Sequence, residues 1–142
     1  DLRLADARVE KLPADSLDLI LTSPPYAGTY DYADVQARRR ILYGCDAAFA
    51  ETREIGARRD PSRYTTDMEA CLRNILPSLA PGGRLLALIG DGVVQGKPLR
   101  ADEFMSGLAA KLGMRFEAAA SQQRTDWSGG PGRREQLILM AR

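Results

Sequence analysis

The sequence contains no histidine and only two cysteines, Cys45 and Cys71, among its 142 residues. The lack of imidazole rules out a histidine general base, a histidine zinc ligand and any Ser-His-Asp triad. The two cysteines do not have the spacing of metal ligands, so no metal site is predicted. We interpret both as free thiols in a reducing compartment. Any chemistry performed by this chain must therefore work without imidazole.

Long apolar runs and an excess of one charge are also missing. Apolar residues make up 44% of the chain, charged residues 27%, and the net charge is +1. These values are ordinary for a globular domain. No run approaches the roughly 18 apolar residues that span a membrane, and there is no signal-peptide pattern. We expect a cytoplasmic protein, whose charge neither demands nor excludes a nucleic-acid partner.

Strand-like and helix-like segments alternate along the chain. A short strand is predicted to end near Asp6, and helices are predicted over residues 65–79, with a Thr66–Glu69 capping box, and over 100–113. The other predicted strands, all rich in apolar residues, are 17–22, 84–90, 114–121 and 135–141. This order predicts an α/β fold with a mostly parallel sheet, helices on both faces, and an antiparallel hairpin at one edge.

Two prolines directly follow the strand 17–22, in the segment Ser23-Pro24-Pro25-Tyr26. Each proline fixes φ near −65° and removes an N–H, so this corner is stiff and offers mainly acceptors. The acceptors are the carbonyls of Ser23 and Pro24 and the Ser23 hydroxyl, and Tyr26 adds a flat ring. Such a corner suits a planar amine, because acceptors on its two hydrogens strengthen the nitrogen as a nucleophile. The alternative is a rigid connector without a catalytic role.

The segment "DLILTSPPY" resembles the catalytic motif of S-adenosylmethionine-dependent amino-methyltransferases, which methylate the exocyclic amine of adenine or cytosine in DNA. The stretch "ADA" at residues 5–7 is similar to their cofactor-contacting acidic turn. The stretch "LAPGGRLLALIGDG" resembles the entry to a strand of class I, Rossmann-like methyltransferases, and the closing strand-loop-strand resembles the antiparallel edge of that fold. The resemblance covers most of the chain, and the Pro-Pro motif is its specific element.

The resemblance implies a catalytic role for the corner. The Ser23 side chain and the Pro24 carbonyl would hold the target amine, Pro25 would keep the corner stiff, and Tyr26 would stack on a base flipped out of its helix. The methyl group would pass directly to nitrogen, without a covalent enzyme intermediate. Serine at position 23 favours cytosine, although family members with serine also methylate adenine.

The cofactor S-adenosylmethionine is expected to contact Asp6, Ala7 and Thr22. The Asp6 carboxylate would bind the adenine amine and the Ala7 N–H would bind the ring. The alternative interpretation of Asp6 is a plain turn aspartate.

Substrate contacts are expected from aromatic and basic side chains that follow the corner in the sequence, since these suit a flipped base and DNA phosphates, and from Asp31, which would orient the base. The alternatives are aromatic packing on the sheet, ion pairs with interleaved acidic residues, and a mobile hairpin. The expected residues are Tyr30, Asp31, Tyr32, Arg39, Arg40, Arg58, Arg59 and Trp127.

Class I methyltransferases also carry a Gly-rich turn for the methionine part of the cofactor and an acidic residue for its ribose, and no segment here fits either. We expect residues 1–142 to form a single catalytic domain without its N-terminal cofactor-binding strands, which an upstream segment or another chain would supply. The stretch 89–96 is not interpreted as a nucleotide loop, and Asp91 and Gly92 are expected to shape the rim of the site. The alternative functions are methylation of RNA guanine or protein glutamine, or a non-catalytic remnant that acts as a binding module.

Overall fold

The computed structural model describes residues 5–28, 54–55, 60–125 and 132–142. The strands are β1 (Leu17–Thr22), β2 (Leu79–Gly90), β3 (Gly92–Val94), β4 (Lys97–Leu99), β5 (Arg115–Arg124) and β6 (Arg133–Ala141). The helices are α1 (Pro61–Ile75), followed by a 3-10 turn at Leu76–Ser78, and α2 (Ala101–Lys111). Neither α-helix of these described ranges is long and apolar enough to cross a membrane.

Four strands form one sheet in the order β1-β2-β6-β5. Strand β1 pairs with β2 in parallel, while β6 runs antiparallel to both β2 and β5. Three of the four strands therefore point in the same direction. The mostly parallel sheet and the antiparallel hairpin at its edge are confirmed.

One face of the sheet is buried beneath both α-helices. Because side chains alternate along a strand, every second residue of β2 and β6 enters this core. The core includes Leu85, Ala87 and Ile89 of β2, Ile138 and Met140 of β6, Met68 and Leu72 of α1, and Met105 and Leu108 of α2. The two helices also touch each other through the Tyr64 and Phe104 rings. Both described helices thus cover the same face, and helices on the other face stay a prediction.

The opposite face of the sheet exposes four leucines, which we call the open face. Leu19, Leu21, Leu88 and Leu137 expose 49%, 69%, 39% and 42% of their surface, respectively. The strand β1 is thus apolar on both sides, which is typical of a strand with a cover on each face. The apolar run 17–22 is a strand, as predicted. Among the described residues, only one of its two faces is covered by helices.

Helix α1 begins earlier than the sequence pattern predicts. Asp60 is its N-cap, accepting from the Ser62 N–H at 2.8 Å, and Pro61 takes the first helical position. The predicted Thr66–Glu69 capping box is wrong, because the Thr66 hydroxyl instead donates to the backbone carbonyl one turn earlier, at 2.9 Å. The early start matters because it places Tyr64 on the buried face of the helix.

Gly113 terminates helix α2, as predicted. This glycine has a φ of +72°, and its N–H donates to the Ala110 carbonyl at 3.4 Å. The Met114 N–H reaches the Ala109 carbonyl at 2.9 Å, which completes a Schellman motif. The motif turns the chain from α2 into β5.

Candidate active site

The Ser23-Pro24-Pro25-Tyr26 corner leaves the carboxyl end of β1, the edge where open α/β sheets bind ligands. Ser23 is exposed, Pro24 and Pro25 are half-buried, and Tyr26 is buried with 8% of its surface exposed. The four predicted catalytic residues therefore form a continuous turn from an exposed acceptor to a buried ring.

Helix α1 fixes the middle of the corner. The Tyr64 hydroxyl donates to the Pro25 carbonyl oxygen at 3.0 Å. The Tyr64 ring is itself buried, 2% exposed, and its centroid lies 5.2 Å from that of Phe104. The Tyr64 hydroxyl thus fixes the Pro25 carbonyl. Pro24, one residue earlier, lines a cavity beside the corner.

Tyr26 packs against the end of β2. A Cβ at Gly90 would lie 2.6 Å from the Tyr26 Cδ2 atom, so the ring occupies space that only glycine leaves. The Tyr26 hydroxyl donates to Glu135 Oε1 at 2.9 Å. Burial and this carboxylate raise the pKa of the Tyr26 phenol, which therefore keeps its proton at neutral pH. Stacking of Tyr26 on a flipped base stays a prediction, since part of the ring surface is used by the protein itself.

The chain after Tyr26 packs backbone to backbone on β3, directly after the connection between β2 and β3. A Cβ at Gly92 would lie 1.9 Å from the Ala27 carbonyl oxygen. A Cβ at Gly28 would lie 2.1 Å from the Val93 carbonyl oxygen, and Gly28 has a φ of +60°. These close approaches explain the glycines of this segment without a nucleotide, in line with the interpretation of 89–96.

Asp91 holds the same connection in place. Its N–H donates to the Arg134 carbonyl at 2.8 Å, and its Oδ1 accepts from the Ala101 N–H at 2.9 Å. The N-cap residue of α2, Arg100, makes no side-chain capping bond, so Asp91 caps this helix from ten residues upstream. Asp91 and Gly92 therefore support the corner.

A cavity of about 220 Å³ lies between the corner and α1. Its lining combines the turn before β1, the end of β1, the corner and the apolar side of α1. The lining residues include Ala7, Thr22, Ser23, Pro24, Pro25, Met68, Cys71 and Leu72. Burial raises the pKa of the Cys71 thiol to about 11, which keeps it protonated and unreactive. The structure thus brings Ala7 and Thr22, two of the predicted cofactor residues, to the same cavity as the corner.

Asp6 does not line this cavity. Its carboxylate accepts from Arg8 Nε at 3.0 Å and Nη2 at 2.7 Å, and Arg8 Nη1 reaches Asp67 on α1 at 3.0 Å. The hydrogen bond that Arg8 donates to Asp6 is the largest cause that raises the pKa of Arg8 above its usual range. Asn74 also donates to the Ala7 carbonyl at 3.0 Å, which ties the turn to the helix. These contacts fit a turn aspartate, and the contact of Asp6 with the adenine amine stays a prediction.

The predicted substrate residues lie outside the described residues. They are Tyr30, Asp31, Tyr32, Arg39, Arg40, Arg58, Arg59 and Trp127. Their roles stay predictions. The predicted strand before Asp6 also falls largely outside the described ranges.

Two residues that hold the corner, Tyr64 and Glu135, were not predicted. Tyr64 had a signal, because it precedes Met68 by four positions and follows the helix-start pattern Asp60-Pro61. Glu135 had none, since its contact with Tyr26 spans 109 positions and depends on the place of β6 in the sheet.

Solved methyltransferases have a similar structure. A candidate DNA modification methylase from Thermus thermophilus, crystallised with S-adenosyl-L-methionine, aligns with a TM-score of 0.61 and 20% identity over 98% of this chain and 51% of its own. A SAM-dependent methyltransferase from Methanosarcina mazei aligns with a TM-score of 0.55 and 8% identity over 99% of this chain and 66% of its own. The chain has a methyltransferase fold. It spans about half the length of the Thermus protein.

Comparison of the sequence alone identifies no relative of this chain. No protein-family model matches the sequence, and no curated protein matches it. At 20% and 8% sequence identity, the similarity to these two structures shows the fold alone. A fold alone does not determine the reaction, which must be argued from the site.

Proposed function

We propose that this chain provides the target-binding side of an S-adenosylmethionine-dependent N-methyltransferase that acts on DNA. The acceptor would be the exocyclic amine of a base, N(4) of cytosine or N(6) of adenine. The observation that carries the proposal is that the acceptor-rich corner Ser23–Pro25 and the cavity beside it lie at a strand end of a methyltransferase fold.

The corner suits the chemistry of such an amine. The lone pair of an exocyclic amine is delocalised into the ring, so the nitrogen is a weak nucleophile. The Ser23 hydroxyl and the Pro24 carbonyl would each accept one of its hydrogens and return electron density to the nitrogen as it attacks. Because Tyr64 fixes the Pro25 carbonyl, the acceptors are oriented before the substrate arrives. When bound, S-adenosylmethionine supplies the electrophilic methyl group.

The cavity fits part of this cofactor. Its apolar walls, which include Met68 and Leu72, suit a flat ring, and Thr22 and Ser23 add hydroxyl-bearing side chains to the lining. Its volume of about 220 Å³ is below the roughly 300–1,000 Å³ of complete ligand pockets. The residues that line this cavity therefore fit the adenine ring, and among the described ranges we find no further site beside it for the ribose and methionine portions.

We propose that a second polypeptide segment completes the cofactor site, either upstream in the same protein or on another chain. It would carry the Gly-rich turn and the ribose-binding acidic residue, leaving residues 1–142 as the corner-bearing portion of one catalytic domain. The proposal is motivated by the sequence, in which no segment fits either feature. Among the described residues, the open face also presents its most exposed leucine, Leu21, beside the corner.

Residues 1–142 alone are expected to bind S-adenosylmethionine very weakly, because the cavity accommodates only one part of it. Isothermal titration of the isolated chain should give no saturation up to about 1 mM cofactor, a limit that corresponds to about 4 kcal/mol of binding free energy. The Thermus protein, crystallised with this cofactor, is the positive control. A micromolar dissociation constant for residues 1–142 would refute the need for a second segment.

The position of the transferred label tests the function itself. The chain, together with its complementary segment, is incubated with labelled S-adenosylmethionine and with DNA, tRNA and protein extracts in parallel. We expect label in DNA, and mass spectrometry of the digest should find it at N(4) of cytosine or N(6) of adenine. Label in RNA guanine or in a glutamine amide would replace the DNA proposal with one of the alternatives. Transfer to none of the three would indicate a non-catalytic module.

A further inference from the structure

Residues 6–10 form a turn before β1 that carries Ala7, one of the residues that line the cavity. Within this turn, the Asp6 carbonyl accepts from the N–H groups of Val9 and Glu10, at 3.0 and 2.9 Å. The turn contains neither glycine nor proline, so no residue of it has an unusual backbone preference. Its shape and its place on the protein therefore depend on hydrogen bonds.

These hydrogen bonds fix both peptide planes next to Ala7. The plane between Ala7 and Arg8 is held at both edges, because the Arg8 N–H donates to Asp6 Oδ1 at 3.0 Å and the Ala7 carbonyl accepts from Asn74 Nδ2 at 3.0 Å. The plane between Asp6 and Ala7 is held by its carbonyl, which the turn itself uses. Since the C=O and N–H of a trans peptide point in opposite directions, the Ala7 N–H points out of the turn. Among the described residues, it takes part in none of the bonds that hold the turn.

Asn74 of helix α1 closes the turn against the helix. Its Nδ2 group donates to the carbonyls of both Ala7 and Glu10, and a carboxamide has one hydrogen for each. A second bond acts in the same way, from Arg8 Nη1 to Asp67 Oδ1 at 3.0 Å. Asp67 and Asn74 are seven positions apart, about two helical turns, so both project from one side of α1.

Helix α1 also reaches the corner. Tyr64, ten positions before Asn74, donates to the Pro25 carbonyl at 3.0 Å. At 1.5 Å per residue, the two attachment points lie about 15 Å apart along the helix. Met68 and Cys71, which line the cavity, lie between them in the helix. One helix therefore holds the corner and the Ala7 turn at a fixed separation.

We propose that Asn74 is a positioning residue that fixes the Ala7 N–H as a hydrogen-bond donor to the adenine ring of S-adenosylmethionine. This inference rests on the proposed function and adds to it the residue that orients the cofactor side of the site. Because Asn74 orders the turn in advance, the cofactor does not have to order it on binding, and the affinity rises.

The substitution Asn74→Ala removes both donated hydrogen bonds while keeping the helix, since alanine is favoured over asparagine within a helix. It is tested in the chain together with its complementary segment. By isothermal titration, we expect the dissociation constant for S-adenosylmethionine to rise about tenfold, as loss of a hydrogen bond worth about 1.4 kcal/mol would cause. The KM for the cofactor should rise by the same factor, and kcat at saturating cofactor should not change.

The matched control is Arg73→Ala at the adjacent position. The Arg73 guanidinium donates to Glu69 of the same helix at 2.7 Å rather than to the turn, so both constants and kcat should stay unchanged. Tyr64→Phe, at the other attachment point, should instead lower kcat with an unchanged dissociation constant. An active wild-type enzyme whose cofactor affinity survives Asn74→Ala would overturn the inference and leave the proposed function intact. The same pattern in Asn74→Ala and Tyr64→Phe would also overturn it, because it would indicate a general loosening of α1.

A second readout needs neither cofactor nor activity. Hydrogen exchange of the Val9 and Glu10 amides, which donate within the turn, is followed by NMR in the full chain. Asn74→Ala should speed this exchange about tenfold, whereas Arg73→Ala should not. Unchanged exchange in Asn74→Ala would overturn the inference, even if the wild-type protein transfers no methyl group and the proposed function itself fails.

Discussion

Substitution of Gly92 by alanine is expected to lower the free energy of unfolding by about 3 kcal/mol. The new Cβ would lie 1.9 Å from the Ala27 carbonyl oxygen and 3.0 Å from its carbon. Both are backbone atoms, so no flexible side chain can move aside. The chain after the corner or strand β3 must shift as a whole. Urea unfolding followed by circular dichroism measures the loss.

The control for Gly92→Ala is the same substitution at Gly107 in α2. A Cβ there meets no atom within 4 Å, and alanine is favoured over glycine in a helix. Gly107→Ala should therefore raise the free energy of unfolding by about 0.5–1 kcal/mol. If Gly92→Ala instead kept wild-type stability, the close packing of Ala27 on β3 would be wrong, and with it the support that we assign to Gly92.

The loss in Gly92→Ala bears on function because this packing orients the corner. Ala27 directly follows Tyr26, whose ring already rests on Gly90. A shift of even a few tenths of an ångström in Ala27 would turn the Tyr26 hydroxyl away from Glu135. The glycine at position 92, within the stretch 89–96, thus allows two chain segments to come into backbone contact.

Much of the fold could be predicted because its signals are local. The strand predicted over 17–22 matches β1, and Gly113 ends α2 as expected. Strand β2 is longer than predicted, since it begins at Leu79 rather than at residue 84. The register between β1 and β2 shifts in this segment, with Leu17 opposite Leu79 but Leu19 opposite Arg84. The Pro-Gly-Gly segment, expected to be a turn that leads into the strand, instead lies within β2 at this shift of register, which only strand pairing shows.

The candidate site could likewise be predicted only where its signals are local in the sequence. The stiffness of Ser23–Tyr26 follows from two adjacent prolines and needs no tertiary information. Its partners Tyr64 and Glu135 approach from a helix and from the last strand, and such contacts are set by topology. The ion pair between Asp6 and Arg8 is, by contrast, a local contact, because the two residues stand only two positions apart in the sequence.

Substitution of Ser23 by alanine is expected to lower kcat for methyl transfer by about a hundredfold. It removes one of the preoriented acceptors, and loss of a single preoriented hydrogen-bonding group in an active site costs about 10²–10³-fold. Single-turnover transfer of labelled methyl groups to DNA measures this step directly. Transfer that survives the double substitution Ser23→Ala with Tyr26→Ala would refute the assignment of the active site to the corner.

The matched control for Ser23→Ala is Ser16→Ala at the opposite end of β1. The Ser16 hydroxyl donates to the Pro13 carbonyl at 2.7 Å on the exposed surface, so the same chemical change there should leave kcat unaltered.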